Sequence, residues 1–130
     1  MGLNDDIFKG EGKILIIDDE EIVRMASTAM LEECGYEVIT AESGDEGIRI
    51  FQQFKDNLKL VILDLAMPGK TGKETFIELK NIESGVKVLL ASGYEQDEQV
   101  HEMFSLGING FLQKPFSLIN LSRKVSETIG

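Results

Sequence analysis

Two aliphatic runs that end in acid constrain this chain more than any other feature: Ile14-Leu15-Ile16-Ile17 leads into Asp18-Asp19-Glu20-Glu21, and Val61-Ile62-Leu63 into Asp64. An uninterrupted aliphatic run predicts a strand buried on both faces, because a half-buried strand alternates apolar with polar residues. After Asp64 the chain reads Leu65-Ala66-Met67-Pro68-Gly69. Proline cannot donate to a ladder and glycine permits a reversal, so the strand stops there. Each acid therefore stands at the C-terminal end of a buried strand, the edge where open parallel α/β sheets bind ligands. Taken alone, Asp64 reads first as a strand-terminating residue that accepts a loop hydrogen bond.

The rest of the chain repeats the pattern. A first helix is predicted from Glu20 to Cys34, with Ile22, Val23, Ala26, Met30 and Cys34 at helical spacing and Gly35 beyond its end. Tyr36–Thr40 predicts the second strand. Ser43 caps a second helix that buries Ile48, Phe51 and Phe54, and Leu58–Leu63 forms the third strand. Thr71 and Glu74 have the spacing of a capping box, opening a third helix that runs to about Ile82. Val86–Ala91 is the fourth strand, followed by a fourth helix over about 97–106 with Val100 and Phe104 inward. Gly110–Gln113 is the fifth strand, and Ser117–Ile129 the fifth helix, with Leu118, Leu121, Val125 and Ile129 inward.

Strict alternation of five strands with five helices predicts an α/β doubly wound sandwich with a parallel sheet. The flavodoxin-like (βα)5 order 2-1-3-4-5 places the ends of strands 1 and 3 side by side, bringing Asp18, Asp19 and Asp64 together. With 130 residues the chain is sized for one domain, read as 13–130 after a polar lead-in over 1–12. The lead-in has no apolar core of a signal peptide, and no apolar run approaches the roughly 18 residues of a membrane span, so membrane insertion is not expected and the cytoplasm is. A net charge of −10 argues against direct nucleic-acid binding, which needs a basic surface. Cys34, the single cysteine, has no disulfide partner and fits a small core residue. His101, among polar neighbours, reads as a surface residue.

Three carboxylates at one sheet edge repel one another unless a cation or hydrogen-bond donors neutralise them. Hard oxygen ligands without a His or Cys cluster favour Mg2+ over zinc. Lys114 at the end of the fifth strand adds a positive charge, and Ser92 at the end of the fourth adds a hydroxyl. Such a set suits phosphoryl transfer. Singly, each residue has a plainer reading as a cap, a turn or an exposed lysine; only the second strand ends without such a group.

In these residues (Asp18-Asp19, Asp64 with Met67-Pro68-Gly69, Ser92, and Lys114-Pro115-Phe116) the chain from Lys13 to Ile129 resembles the receiver domain of bacterial two-component response regulators. The resemblance implies a phosphorylation switch that catalyses its own aspartyl phosphorylation and dephosphorylation. Asp64 would accept a phosphoryl group from a phosphohistidine on a sensor histidine kinase or histidine phosphotransfer domain. Asp19, Asp64 and the Ala66 carbonyl would ligate Mg2+, with Asp18 acting through water. Lys114 would pair with the phosphoryl group and Ser92 would hydrogen-bond it. Phe111, three residues before Lys114, would be the aromatic switch that reshapes the face of helix 4, strand 5 and helix 5; a permanent core aromatic is the alternative. That face is also where a phosphorylation-dependent homodimer would form. The family pattern further implies a cis Lys114–Pro115 bond. Ala66 and Tyr94 offer no group to orient an attacking water, which implies modest self-dephosphorylation.

A haloacid-dehalogenase-type phosphatase would want an acid where Ala66 stands. A nucleotide or flavin module would want a phosphate loop where Asp18–Glu21 would repel phosphate. A degenerate receiver that only binds partners would not need all five site residues. The segments Leu90–Tyr94 and Gly110–Phe116 resemble receivers at the C-terminus of hybrid sensor histidine kinases, with a stand-alone regulator as the alternative.

Overall fold

The computed structural model describes residues 7–93 and 98–130. Five strands alternate with five helices: β1 (Lys13–Ile17), α1 (Glu21–Glu33), β2 (Glu37–Ala41), α2 (Gly44–Phe54), β3 (Leu58–Asp64), α3 (Gly72–Ile82), β4 (Val88–Ser92), α4 (Glu98–Leu106), β5 (Gly110–Gln113) and α5 (Leu118–Ile129). Every adjacent pair is parallel, as the alternation predicts, and the order is β2-β1-β3-β4-β5, the flavodoxin-like one expected among the doubly wound orders. The chain reverses its direction across the sheet between β1 and β3, which makes their C-terminal ends the switch point. No helix among the described residues is long and apolar enough to cross a membrane.

The two-residue period of a strand sends alternate side chains to opposite faces, and both faces are covered. Leu15, Ile17, Val61, Leu63, Val88 and Leu90 pack with Ile48 and Phe51 of α2, Phe76 and Leu79 of α3, and Val100 and Met103 of α4. Ile14, Ile16, Leu60, Ile62, Leu89 and Ala91 pack with Leu31 and Cys34 of α1 and its end, and with Leu121 and Val125 of α5. Cys34 is fully buried in this second layer, and burial raises its thiol pKa. Ile7 packs against the same layer, and the Gly10 N–H donates to the Cys34 carbonyl at 2.9 Å.

Two helix faces differ from the sequence expectation. Ile22 is 80% exposed, and the inner line of α1 is Val23, Ser27 and Leu31 at four-residue spacing. One residue is a rotation of about 100°, so Ile22 and Ala26 turn outward together. In α4, Val100 and Met103 are buried, whereas Phe104 is 48% exposed, one step past the inner line. β4 begins at Val88 rather than Val86; the Val88 N–H and carbonyl are both taken by Asn109, at 2.9 Å each.

The loop after β3 is fixed from both ends. Gly69 adopts φ +74°, and a Cβ on Gly72 would lie 2.6 Å from the Asp64 carbonyl oxygen, so α3 can start against β3 only with glycine there. Thr71 and Glu74 form the reciprocal capping box: the Thr71 hydroxyl accepts from the Glu74 N–H at 3.1 Å, and the Glu74 carboxylate from the Thr71 N–H at 2.9 Å. Thr71→Ala is expected to cost about 1 kcal/mol, read as a lower urea midpoint with an unchanged slope.

Candidate functional site

Strand register builds the site. Ile17 is level with Leu63, so Asp18 and Asp64 emerge side by side from β1 and β3. Asp64 is level with Ala91, which sets Ser92 one residue further toward the lip of β4. Lys114 follows β5, its N–H donating to the Ser92 carbonyl at 2.8 Å, and the Lys114–Pro115 peptide is cis. Asp18, Asp64 and Ser92 are all buried.

Lys114 is the hub. Its Nζ lies 2.8 Å from Asp18 Oδ2, 3.2 Å from Asp64 Oδ1 and 3.5 Å from Glu20 Oε1. Burial pulls the Lys114 pKa down, but its hydrogen bond to Asp18 and the charges of Asp64 and Asp18 outweigh that, and it stays above its ordinary value. Asp64 is pushed up to about 7, by burial first and by the Asp18 charge second. Lys114 opposes the rise, and a hydrogen bond with Asp19 adds to it. Burial and the Asp18 charge thus outweigh the one lysine at Asp64.

The structure brings Asp18, Asp19, Asp64 and Lys114 together, with Ser92 on the neighbouring strand end. Ala66 is exposed in the loop two residues past Asp64. Phe111 on β5 is half-buried and packs against the α2/α3/α4 layer. His101 is exposed on α4, and Tyr94 lies outside the described residues. Glu20 was not among the expected site residues, yet its carboxylate joins those of Asp18 and Asp64 with ligand atoms within 4.8 Å of one another. In the run Asp18–Glu21, no spacing distinguishes an acid aimed at the site from one that serves the front of a helix. Arg24 was also missed; its Nη1 donates to the Asp18 carbonyl at 2.9 Å, a contact made only when α1 folds back over the loop.

Carboxylate oxygens without histidine or thiolate form a hard donor set that can hold a divalent cation of the Mg2+ type. A buried carboxylate beside that position and a lysine are the parts a phosphoryl acceptor needs. Fold and site together define a doubly wound α/β module with an acidic, cation-binding type of site at the switch point of its sheet. The chain belongs to the response regulator receiver domain family, whose model matches residues 14–126, and it is a receiver of two-component signalling.

It is 32% identical to the sensor kinase CckA of Brucella abortus over 92% of this chain and 13% of that protein. A receiver domain protein from Clostridium thermocellum superposes with a TM-score of 0.86 at 32% identity, covering 91% of this chain and 94% of that one. The response regulator TrrA of Thermotoga maritima, solved in complex with Mg2+-BeF, superposes with a TM-score of 0.79 at 33% identity, covering 90% of this chain and 98% of that one. The chain spans 13% and 52% of the length of two curated relatives it matches.

Proposed function

We propose that Asp64 accepts a phosphoryl group from a phosphohistidine, and that the domain relays its phosphorylation state to a partner. The observation that carries this reading is the buried Asp64 carboxylate 3.2 Å from Lys114 Nζ and beside Asp18. An Asp64 oxygen attacks phosphorus, the P–N bond breaks, and its electron pair returns to the imidazole. Lys114 then pairs with the phosphoryl oxygens and Ser92 donates its hydroxyl to one of them.

Mg2+ is the cation of this reading, held by Asp19, Asp64 and the Ala66 carbonyl, with Asp18 and Glu20 completing the acidic wall. Bound there, it supplies the charge that keeps Asp64 ionised and offsets the incoming phosphoryl oxygens. TrrA, with its Mg2+-BeF complex, supports that choice. The phosphodonor is a sensor histidine kinase or a histidine phosphotransfer domain, and this domain meets it in the cytoplasm. Similarity to the CckA sensor kinase supports a receiver unit over 13–130 inside a hybrid kinase.

For the readout we assign the face of α4, β5 and α5. A cleft of about 590 Å³ opens there, with Phe104, Phe111 and Phe116 in its lining. Inward rotation of Phe111 would change that lining, and a homodimer formed on phosphorylation would use the same face.

Intact-mass measurement after incubation with Mg2+ and a small acyl phosphate tests the central step. One phosphoryl adduct is expected on the wild type and none on Asp64→Asn. A wild type without an adduct, or an adduct that survives the substitution, overturns the reading.

A further inference from the structure

Asp18 has four polar atoms at the edge of the site, and each has a partner. Its N–H donates to the Ala41 carbonyl at 3.1 Å, its Oδ1 accepts from the Glu20 N–H at 2.9 Å, and its Oδ2 pairs with Lys114 at 2.8 Å. The fourth, its carbonyl oxygen, accepts from Arg24 Nη1 at 2.9 Å. Lys114 is shared with Asp64 and Glu20, so its hold on Asp18 changes as charge enters the site. Arg24 is the side chain that grips Asp18 from outside.

A guanidinium presents several donors in one rigid plane, so it can engage two partners at once. While Nη1 holds Asp18, Nη2 lies 3.6 Å from Glu42 Oε2, the residue that follows β2. The Arg24 side chain is 15% exposed and that of Glu42 67%. β2 brings no chemical group to the site, but its end holds Asp18 twice, directly through Ala41 and indirectly through Glu42 and Arg24.

We propose that Arg24, seated on Glu42, is a positioning residue for the cation site: by fixing the Asp18 carbonyl it holds the acidic β1–α1 loop in the geometry Mg2+ requires. The proposal rests on the cation site of the function proposed above. Without Arg24, repulsion among Asp18, Asp19, Glu20 and Glu21 is free to spread the loop. Mg2+ demands near-ideal octahedral placement, whereas Ca2+ accepts a looser set of oxygens.

Charge and positioning predict opposite signs. Removing a positive charge next to a cation site strengthens cation binding if electrostatics alone matter. Removing a positioning residue weakens it, and groups that orient metal ligands typically govern 10- to 100-fold in affinity.

Calorimetric titration of the whole chain with Mg2+ and with Ca2+ separates the two. Arg24→Gln is expected to weaken Mg2+ about tenfold and Ca2+ only about twofold. Arg24→Lys, which keeps the charge but loses the fork, is expected to fall in between. Glu42→Gln should weaken Mg2+ about twofold alone and add nothing in the Arg24→Gln background. With Mg2+ raised to saturation, Arg24→Gln should regain the wild-type extent of phosphoryl adduct. Unchanged or tighter Mg2+ binding by Arg24→Gln overturns the proposal. If that variant does not fold, unchanged Mg2+ affinity in both Arg24→Lys and Glu42→Gln overturns it. A wild type that binds no Mg2+, or binds it without gaining an adduct, counts instead against the proposed function.

Discussion

Lys114→Met is expected to move cation binding and phosphoryl transfer in opposite directions. The substitution keeps most of the side-chain volume and removes the charge within reach of Asp18, Asp64 and Glu20. Without metal, Asp18 and Asp64 are left as buried acids with no cation, a change that typically destabilises by about 3 kcal/mol. Mg2+ then binds several-fold tighter, because no ammonium competes for the same oxygens, and it restores most of the lost stability. Adduct formation slows by about 10²- to 10³-fold, the usual cost of removing one stabiliser of developing charge. Calorimetry, urea denaturation with and without Mg2+, and the time course of the phosphoryl adduct measure the three effects. Weaker Mg2+ binding together with normal adduct formation would show that Lys114 only braces the loop.

In the metal-free protein, Asp64 is expected to make stability fall as pH rises from about 4 to about 7. Its pKa lies near 7 in the folded state, against an ordinary value of 3.8. Across that window the folded state keeps a proton that the unfolded chain has released, and stability falls with pH wherever the folded state binds more protons. Below 3.8 both states are protonated and the contribution is fully present; above 7 both are ionised and it is gone. Asp64→Asn removes this dependence, so the stability of the variant relative to wild type should rise by on the order of 4 kcal/mol across the window. Saturating Mg2+ should abolish the difference in slope, because a cation favours the ionised carboxylate. Urea midpoints at a series of pH values, with chelator and with Mg2+, give the comparison. Parallel profiles for wild type and Asp64→Asn in chelator would show that burial does not govern Asp64.

Strands β1, β3 and β4 were legible because burial on both faces leaves an unbroken aliphatic run that helices do not share. β5 falls on Gly110–Gln113 as expected, and the Thr71–Glu74 capping box is formed. Helix faces were less legible. An apolar residue beside the inner line has the same composition signal as one on it, and only the packed helix shows that Ile22 and Phe104 face out while Ser27 and Met103 face in. A small polar residue such as Ser27 carries no periodic signal at all.

The sequence by itself determined the alternation, and it made 2-1-3-4-5 a leading choice of sheet order, with Asp18, Asp64, Ser92 and Lys114 at the ends of their strands. These follow from local patterns, since strand ends and turn residues are written into neighbouring positions. Tertiary structure alone decided that Glu20 joins the carboxylates, that Arg24 and Glu42 tie Asp18 to the end of β2, and that Asp64 holds its proton to about pH 7. Each of these depends on distances between side chains on different elements and on how much water is excluded, which residue order does not encode.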